Sequence, residues 1–425
     1  MNTTPLKAEV DIVVVGAGAA GIAAGRRLAE AGADFVVLEA RSRIGGRAWT
    51  VEREGLPFDL GCGWLHSGDL NPWSRIAEAS GLTIDRTPAP WTSDERDLSF
   101  GGTEFRAYRV AIAAFYRRLN VAGSRPGNDG DDRAAADFLE AGGRWNELFN
   151  AVSTYANGAE LDRISAQDVS RFEDNEVNWR VREGYGTAVA GYGAKLPVAL
   201  DCAVTGIDHS GARLKIETAR GAVRAKCAIV TLPTVSIANE SVRFTPALPE
   251  KIEAAAGLPL GLADKVWLAL EAAEEFPAET RVFGRTDRTE TGAYHVRPFG
   301  RPVIEAYFGG RLARRLEEEG EGAAAAFAIE ELAAQLGSGI RARLRPLAAT
   351  GWFQDPFARG SYSHALPGQA GARSVLAQPV EERLFFAGEA CSAGSFSTAH
   401  GAYETGVAAA EAVLRVLRRQ PAAPR

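Results

Sequence analysis

The sequence predicts a mixed α/β protein in which a Rossmann-type domain is interleaved with a second domain of mixed sheet and helices. Three observations support this. A short apolar run over residues 10–15 ends at a glycine-rich turn, an alanine-rich helix is predicted over 19–31, and a second apolar strand follows at Phe35–Leu38. This βαβ unit implies a parallel sheet. Similar buried strands and helices return in the middle and at the end of the chain, so the Rossmann-type domain is predicted to be discontinuous.

The remaining elements are predicted from their periodicity. Residues 71–157 are typical of helices interrupted by a polar loop at 122–132, and 198–230 has the alternation and turns of a β-meander ending in a buried strand. Later elements are strands at Ala263–Leu270, 303–308 and 384–387, and helices at Ala323–Leu336 and 400–417. The predicted division assigns 1–75, 184–240 and 378–425 to the Rossmann-type domain and 76–183 and 241–377 to the second domain.

Composition excludes several classes of protein. The 425 residues carry a net charge of −6, which disfavours a nucleic-acid partner and fits a cationic ligand. Neither the four cysteines nor the five histidines have metal-ligand spacing, so we expect no metal and reduced thiols in a cytoplasmic protein. No apolar run reaches about 20 residues, so we expect no membrane span. The sequence does not specify the oligomeric state.

A G-x-G-x-x-G motif lies between the first strand and the first helix. Gly16 permits the tight turn, Gly18 lets a pyrophosphate approach the backbone, and Gly21 lets the helix pack on the strand. The first residues of that helix, Ala19 and Ala20, offer free N–H groups at the positive end of the helix dipole. The motif therefore predicts a dinucleotide site.

An acidic residue and a second glycine pair extend this site. Glu39 ends the second strand 18 residues after Gly21, where a carboxylate binds ribose hydroxyls and disfavours NADP. Gly45 and Gly46 predict a second close approach of the backbone, and Arg47 supplies a cation for the pyrophosphate. The motif alone leaves NAD and FAD open. The residues predicted to bind the cofactor in this region are Glu39, Ala40, Arg41, Gly45, Gly46 and Arg47.

Five segments in a fixed order carry a wider resemblance. They are the motif at 16–21 with Glu39; Arg-Ile-Gly-Gly-Arg at 43–47; Asp-Leu-Gly-Cys-Gly-Trp-Leu-His at 59–66; Gly-Leu-Ala-Asp-Lys at 261–265; and a C-terminal part from Trp352, with Gly-Ser-Tyr-Ser at 360–363, Phe-Ala-Gly-Glu-Ala at 386–390 and His-Gly-Ala at 400–402. With these segments the chain resembles the flavin-containing amine oxidases, a group of polyamine oxidases, monoamine oxidases and histone lysine demethylases. It is most similar to the polyamine-oxidase-like members.

The resemblance implies FAD as the cofactor and assigns further residues to it. Glu389 is expected near the ribityl–phosphate region, and the backbone of Val204 near the adenine. The last helix is expected to direct its N-terminus at the N1/O2 edge of the flavin, where hydride uptake leaves negative charge. The further cofactor residues implied are Gly61, Gly63, Trp64, Val204, Gly388, Glu389, Thr398, Ala399 and Ala402.

The resemblance also implies the substrate side of the site. Lys265 matches the family lysine that contacts flavin N5 through a water, and Trp352 and Tyr362 match an aromatic pair that flanks the amine. Ser361 stands where monoamine oxidases attach the flavin to a cysteine, so we expect non-covalent FAD. Thr398 stands where many relatives have a second tyrosine that encloses the amine together with the aromatic pair. Its replacement leaves open which amine the site prefers.

Hydride transfer from the α-carbon of an amine is the expected reaction. An imine would form and hydrolyse to an aldehyde, and reoxidation by O2 would give hydrogen peroxide. His66 could tune the protonation of the bound amine. Three acids, Glu173, Asp174 and Glu176, could face the distal ammonium of a polyamine or simply form a solvated loop.

Several alternatives stay open on the sequence. The chain could be an L-amino-acid oxidase of the same fold, with Arg297 binding a carboxylate, or an amine dehydrogenase that uses another electron acceptor. An oxidase similar to carotenoid desaturases or protoporphyrinogen oxidases would share the N-terminal motif. A redox-inert flavin-binding module would share the cofactor motifs without the reaction.

Overall fold

The computed structural model of the protein describes residues 6–123 and 132–419. Its strands, in chain order, are β1 (Ile12–Val15), β2 (Phe35–Leu38), β3 (Thr50–Arg53), β4 (Leu56–Asp59), β5 (Ile84–Asp85), β6 (Arg180–Val181), β7 (Val198–Ala199), β8 (Val204–Asp208), β9 (Leu214–Thr218), β10 (Gly221–Ala225), β11 (Cys227–Val230), β12 (Arg243–Thr245), β13 (Ala263–Leu270), β14 (Thr280–Phe283), β15 (Ala293–Val296), β16 (Val303–Gly309), β17 (Leu344–Ala349) and β18 (Leu384–Phe386).

The α-helices lie between these strands and at the end of the described chain. In chain order they are α1 (Ala19–Glu30), α2 (Pro72–Ala79), α3 (Gly102–Gly123), α4 (Asn146–Ala156), α5 (Ala166–Ser170), α6 (Tyr185–Gly193), α7 (Thr234–Ala238), α8 (Pro249–Ala256), α9 (Gly310–Glu319), α10 (Ala323–Leu336), α11 (Ala372–Ala377) and α12 (Ala399–Arg419).

A parallel five-stranded sheet, ordered β18-β11-β1-β2-β7, confirms the predicted Rossmann-type fold. Side chains of β1 alternate between two cores, because successive residues of a strand point to opposite faces. Ile12 and Val14 pack on the side of α1 and α12. Val13 and Val15 pack on the side of the meander strands. Both faces of the sheet are therefore covered, which explains the uninterrupted apolar runs in the sequence.

The second large sheet is ordered β14-β15-β16-β13-β17, and its strands are antiparallel. One face is apolar and packs with α9 and α10 through side chains such as Val266, Leu268 and Ala306. The alternation places Lys265 and Trp267 on the opposite face, and both are buried. This face carries the polar residues of the site described below.

The structure refines several predicted elements. The meander appears as β8–β10, and Lys265 lies in a strand as predicted. Strands β3, β4, β6, β12, β14, β15 and β17 were not predicted. The region 71–157 contains α2, α3 and α4, but also the short strand β5. Most of the predicted loop at 122–132 lies outside the described residues.

The cofactor and substrate segments share a core. Val242, Phe244 and Ala254 pack in the same apolar cluster as β1 and β11, as do Ala365 and Leu376. These residues belong to segments that the sequence division assigns to the second domain, and that division stays a prediction.

Candidate cofactor and substrate site

The first glycine-rich turn permits only glycine at two positions. Gly16 has a φ of +100°, which favours glycine, and a Cβ on Gly21 would lie 1.9 Å from the carbonyl oxygen of Gly16. Helix α1 begins at Ala19, and its N-cap residue Gly18 has no side chain to cap it. The first N–H groups of α1, those of Ala19 and Ala20, are therefore placed as an anion site requires.

Glu39 is fixed beside this turn by two backbone donors. The N–H of Ala17 donates to its Oε2 at 2.7 Å, and the N–H of Arg41 donates to its Oε1 at 2.9 Å. Each carboxylate oxygen can accept more than one hydrogen bond, so both keep capacity for ribose hydroxyls. The Arg41 guanidinium bonds Asp355, and Ala40 lies between Glu39 and Arg41 in the bend that follows β2.

A second backbone segment approaches the same turn. The N–H of Gly45 donates to the carbonyl of Ala17 at 2.8 Å, and a Cβ on Gly46 would lie 3.0 Å from the Cα of Gly18. Gly388, at φ +138°, would direct a Cβ into space with no heavy atom within 4 Å. At these positions glycine leaves the backbone without a side chain, as the predicted close approach of a cofactor requires.

Glu389 is a hub that joins three segments. It accepts hydrogen bonds from the Arg47 guanidinium at 3.0 Å, from the Ser363 hydroxyl at 2.6 Å and from the N–H of Ser397 at 3.1 Å. Burial alone would raise the pKa of Glu389, but Arg47, Ser363 and Arg373 outweigh it and the pKa lies below its usual range. The carboxylate therefore stays charged. The sequence did not indicate Ser363 or Ser397 as its partners.

Lys265 is a buried ammonium with free donors. Only 4 % of its side chain is exposed, and Nζ lies 2.9 Å from Glu305 Oε1 without the angles of a hydrogen bond. Among the described residues, none accepts a hydrogen bond from Nζ. A Cβ on Gly63 would lie 3.0 Å from Nζ. The ammonium thus lies against the bare backbone of the 59–66 segment, with donors available to a water or ligand.

Three tyrosines lie around this lysine. Tyr307 is directly opposite Lys265 in the sheet, and Nζ lies 4.9 Å from the centre of its ring. Tyr155 lies 6.5 Å from Tyr307 between ring centres, and its carbonyl accepts a hydrogen bond from the Tyr362 hydroxyl. Sequence reasoning missed Tyr155 and Tyr307, because the pairing of β13 with β16 brings Tyr307 to Lys265 from 42 residues away.

Trp352 has a different set of contacts. Its indole N–H donates to the carbonyl of Leu60 at 3.2 Å, and its ring packs edge-on against Trp49 at 6.3 Å. The backbone N–H bonds Asp264. The ring also borders Gly61, where a Cβ would lie 3.5 Å from it. Trp352 thus contacts the 59–66 segment through Leu60 and Gly61. That Trp352 and Tyr362 together flank an amine stays a prediction.

His66 lies in a polar cluster next to the start of α12. Its Nδ1 is 2.6 Å from Asn178 Oδ1 and 3.9 Å from Asp174 Oδ2. Asn71 donates to the His66 carbonyl at 3.0 Å and contacts His400 Nδ1 at 3.4 Å. The structure therefore brings the predicted histidine and one of the three predicted acids together. Glu173 and Glu176 make no ion pair among the described residues.

Thr398 begins α12. Its hydroxyl accepts a hydrogen bond from the N–H of Gly401 at 3.0 Å, as an N-cap residue does, and the N–H of Ala402 donates to its carbonyl at 3.1 Å. The carbonyl of Ala399 accepts from the Trp73 indole at 2.9 Å, which fastens α12 to α2. These contacts fix the direction of the N-terminus of α12.

The remaining predicted residues fall at the edges of the site. Trp64 stacks on His295 at 6.1 Å, with the Arg180 guanidinium 4.7 Å from its ring centre. A Cβ on Gly61 would lie 1.6 Å from the carbonyl oxygen of Arg47, so this position requires glycine. Val204 begins β8 at the edge of the Rossmann-type core.

These residues fit FAD. Bare backbone at 16–21, 45–46 and 388, a fixed acid at Glu39 and unused donors on Lys265 are what a dinucleotide with a polar ring system requires. Among the described residues, no group of histidine, cysteine, aspartate or glutamate could hold a metal ion, and no helix is long and apolar enough to cross a membrane.

Comparison with protein families decides the assignment. The model of the family described as flavin containing amine oxidoreductase matches residues 19–173 and 127–414. The chain belongs to this family. It is therefore a flavin-dependent amine oxidoreductase that uses FAD, which confirms the resemblance.

Relatives of this amine oxidoreductase are similar over nearly its whole length. It is 28 % identical to polyamine oxidase 2 of Arabidopsis thaliana, over 96 % of this chain and 89 % of that protein. It is 30 % identical to polyamine oxidase 3 of Oryza sativa subsp. japonica, over 96 % and 90 %. A double mutant of putrescine oxidase has the same fold, with a TM-score of 0.78 and 18 % identity over 96 % of this chain and 99 % of that one.

Proposed function

We propose that this amine oxidoreductase is a polyamine-oxidase-like enzyme that removes hydride from the α-carbon of an amine, with FAD bound non-covalently. The observation that carries the proposal is the buried Lys265 ammonium, which keeps its donors free beside Gly63 and has Tyr307 against it. FAD supplies the hydride acceptor when it is bound. The similarity to proteins named polyamine oxidases supports the same class of substrate.

The side chains of the site position the amine and exclude water. Burial raises the pKa of both Tyr307 and Tyr362, so their hydroxyls stay protonated and neutral. Neutral rings beside Lys265 favour an uncharged amine there, because a second ammonium would be repelled by the first. A neutral amine has the lone pair that hydride removal from its α-carbon requires.

Two observations support non-covalent binding. The Ser361 hydroxyl, at the position of covalent attachment in monoamine oxidases, donates to the carbonyl of Ala263 at 2.9 Å and accepts from its N–H at 2.8 Å. Burial raises the pKa of Cys62, the cysteine near Lys265, to about 12, so it remains a thiol and a poor nucleophile.

The polar cluster of His66, Asp174 and Asn178 supports an amine with a second cationic group. The His66 side chain is 38 % exposed and that of Asp174 is 23 % exposed, so a ligand can reach both. An ammonium bound at Asp174 would place the rest of an extended amine toward the start of α12. This arrangement favours a polyamine over an aromatic monoamine.

Oxygen as the electron acceptor, hydrogen peroxide as the product and a location in the cytoplasm are further parts of the proposal. The free state of all four cysteines, Cys62, Cys202, Cys227 and Cys391, is consistent with a reducing compartment. An L-amino-acid oxidase is not favoured, because the Arg297 guanidinium already bonds the carbonyls of Phe276 and Gly300.

Anaerobic mixing of the holoenzyme with spermidine, spermine, putrescine, aromatic monoamines and L-amino acids tests the proposal. Loss of the oxidised flavin absorbance with a polyamine, and not with L-amino acids, is expected. Loss only with L-amino acids would replace the proposal with the oxidase of that class. An absorbance unchanged by every compound would favour a redox-inert module.

A further inference from the structure

Lys265 is charged although its side chain is buried, and burial by itself favours the neutral form of a lysine. The groups that face it are Glu305 and Tyr307 from β16, Asp59 and Cys62 from the 59–66 segment, and Tyr362 from the loop before α11. Burial would lower the pKa of Lys265, but Glu305, Tyr307 and Asp59 outweigh it and raise the pKa above its usual value. Glu305 is the carboxylate in contact, at 2.9 Å, and its side chain is 7 % exposed.

A row of ionisable side chains extends from Glu305 across the polar face of the sheet. His295 is directly opposite Glu305, with Nδ1 3.9 Å from Oε2. Its Nε2 lies 2.9 Å from Glu279, and Glu279 accepts from Arg180 at 2.8 Å. Arg180 also bonds Asp85 at 3.0 Å. All five side chains are largely buried, so these contacts lie in the protein interior and not on its exposed surface.

Neighbouring aromatic rings pack against the side chains of this row. The Arg180 guanidinium lies between Trp64, 4.7 Å from its ring centre, and Phe299, 4.2 Å from its ring centre. The Phe299 N–H donates to Glu279, and Trp64 stacks on His295. A carboxylate at position 305 is thus kept next to Lys265 by contacts that extend to Arg180 on β6.

We propose that Glu305 is a positioning residue that keeps Lys265 protonated at the flavin edge, and that His295, Glu279 and Arg180 fix Glu305 for this task. The inference rests on the proposed role of Lys265. A permanently charged lysine stabilises the negative charge that forms on oxygen when it takes an electron. Without Glu305, burial is opposed only by Tyr307 and Asp59, so we expect the lysine to lose its proton at a lower pH than in the wild type.

The experiment measures reoxidation of the photoreduced holoenzyme by O2 from about pH 6 to about pH 10, a range that lies below the ordinary lysine pKa of about 10.4. Wild type is expected to give a flat profile. The reoxidation rate of Glu305→Gln is expected to match that of wild type at the acid end of the range and to fall at least about tenfold as the pH rises. The reason is that the protonated fraction of the lysine falls about tenfold for each pH unit above its pKa. Glu305→Asp, which keeps the charge, should restore the flat profile.

Two further variants separate a charge effect from damage to the fold. Lys265→Met should be slow at every pH, and adding Glu305→Gln to it should change nothing more. Glu331→Gln is the matched control, because Glu331 is buried against the same sheet but bonds Thr291 and Tyr294, away from Lys265. A pH titration of the oxidised flavin absorbance should show a step in Glu305→Gln that is absent in the double variant.

A pH-independent loss in Glu305→Gln, or an equal loss in the Lys265→Met background, would overturn the proposal. Photoreduction needs no amine, so these outcomes do not depend on the substrate. Failure of the enzyme to oxidise any amine would contradict the proposed function and leave the pH profiles to decide the role of Glu305.

Discussion

Arg47 Nη1 lies 3.0 Å from Glu389 Oε1, and this contact joins residues 342 positions apart in the sequence. The same guanidinium donates to the carbonyl of Ser361 at 2.5 Å. The segment after β2 is thereby tied both to the loop that carries Tyr362 and to the start of the last cofactor segment. The predicted cofactor side and the predicted substrate side of the site therefore meet at this guanidinium.

Glu389→Gln should weaken FAD binding. The amide keeps the shape but loses the charge that pairs with Arg47, and a lost hydrogen bond to a charged group costs about 1.5–3 kcal/mol, or roughly tenfold to a hundredfold in affinity. Titration of the apoprotein with FAD, followed by flavin fluorescence, measures the Kd. The control is Glu381→Gln, since Glu381 forms an exposed pair with Arg383. Equal Kd values for Glu389→Gln and wild type would contradict the role of Glu389.

Thr398→Ala should lower the thermal stability of the protein, whereas Thr398→Ser should preserve it. The hydroxyl caps α12 through Gly401, and loss of an N-cap costs about 1 kcal/mol. Thermal unfolding followed by circular dichroism gives the comparison. If serine is as damaging as alanine, the methyl group of Thr398 and not the cap is what matters.

Lowering the pH from about 7 to about 5 should destabilise the protein through His364 and His400. Burial is the largest cause that lowers the pKa of each to about 4, below the usual value near 6.5. Between these two pKa values the unfolded chain binds protons that the folded chain does not. The free energy of unfolding therefore rises with pH across this window, and the contribution of the two histidines is fully present above it. At pH 5 the loss is about 2 kcal/mol for each histidine.

Urea unfolding of wild type, His364→Gln and His400→Gln at both pH values measures this effect. Each variant should lose less stability on acidification than wild type does. Identical losses in all three proteins would show that neither histidine is the cause.

Asp174→Asn should raise KM for spermidine with little change in kcat, because Asp174 would bind an ammonium distant from the reacting carbon. An exposed charge contact of this kind is worth about 1 kcal/mol, or roughly fivefold in KM. Glu176→Gln is the matched control, since Glu176 is exposed and forms no ion pair among the described residues. Equal KM values for the two variants would remove Asp174 from substrate binding.

Local motifs predicted the fold of the segment that is expected to bind the cofactor. The βαβ unit, its glycines and Glu39 act within forty residues, and their roles follow from backbone geometry that a short sequence encodes. The strand containing Lys265 was also predicted, because its alternation is regular. The family comparison confirms the fold and the cofactor.

The surroundings of Lys265 could not be predicted in the same way. Glu305, Tyr307 and His295 reach the lysine only through the register of β13, β16 and β15, which depends on pairing between distant segments. The cap formed by Thr398 was also not predicted, because the residue had been interpreted as a cofactor contact and as the replacement of a tyrosine. Long-range pairing, and not local propensity, determines this part of the site.

The most direct test of the account is the anaerobic reaction of the purified holoenzyme with spermidine, observed through the oxidised flavin absorbance. The expectation is that the protein carries FAD that acid or heat releases intact, and that spermidine bleaches the absorbance while L-amino acids do not. A protein that binds no FAD when it is supplied, or whose bound FAD is reduced by no amine, would contradict it.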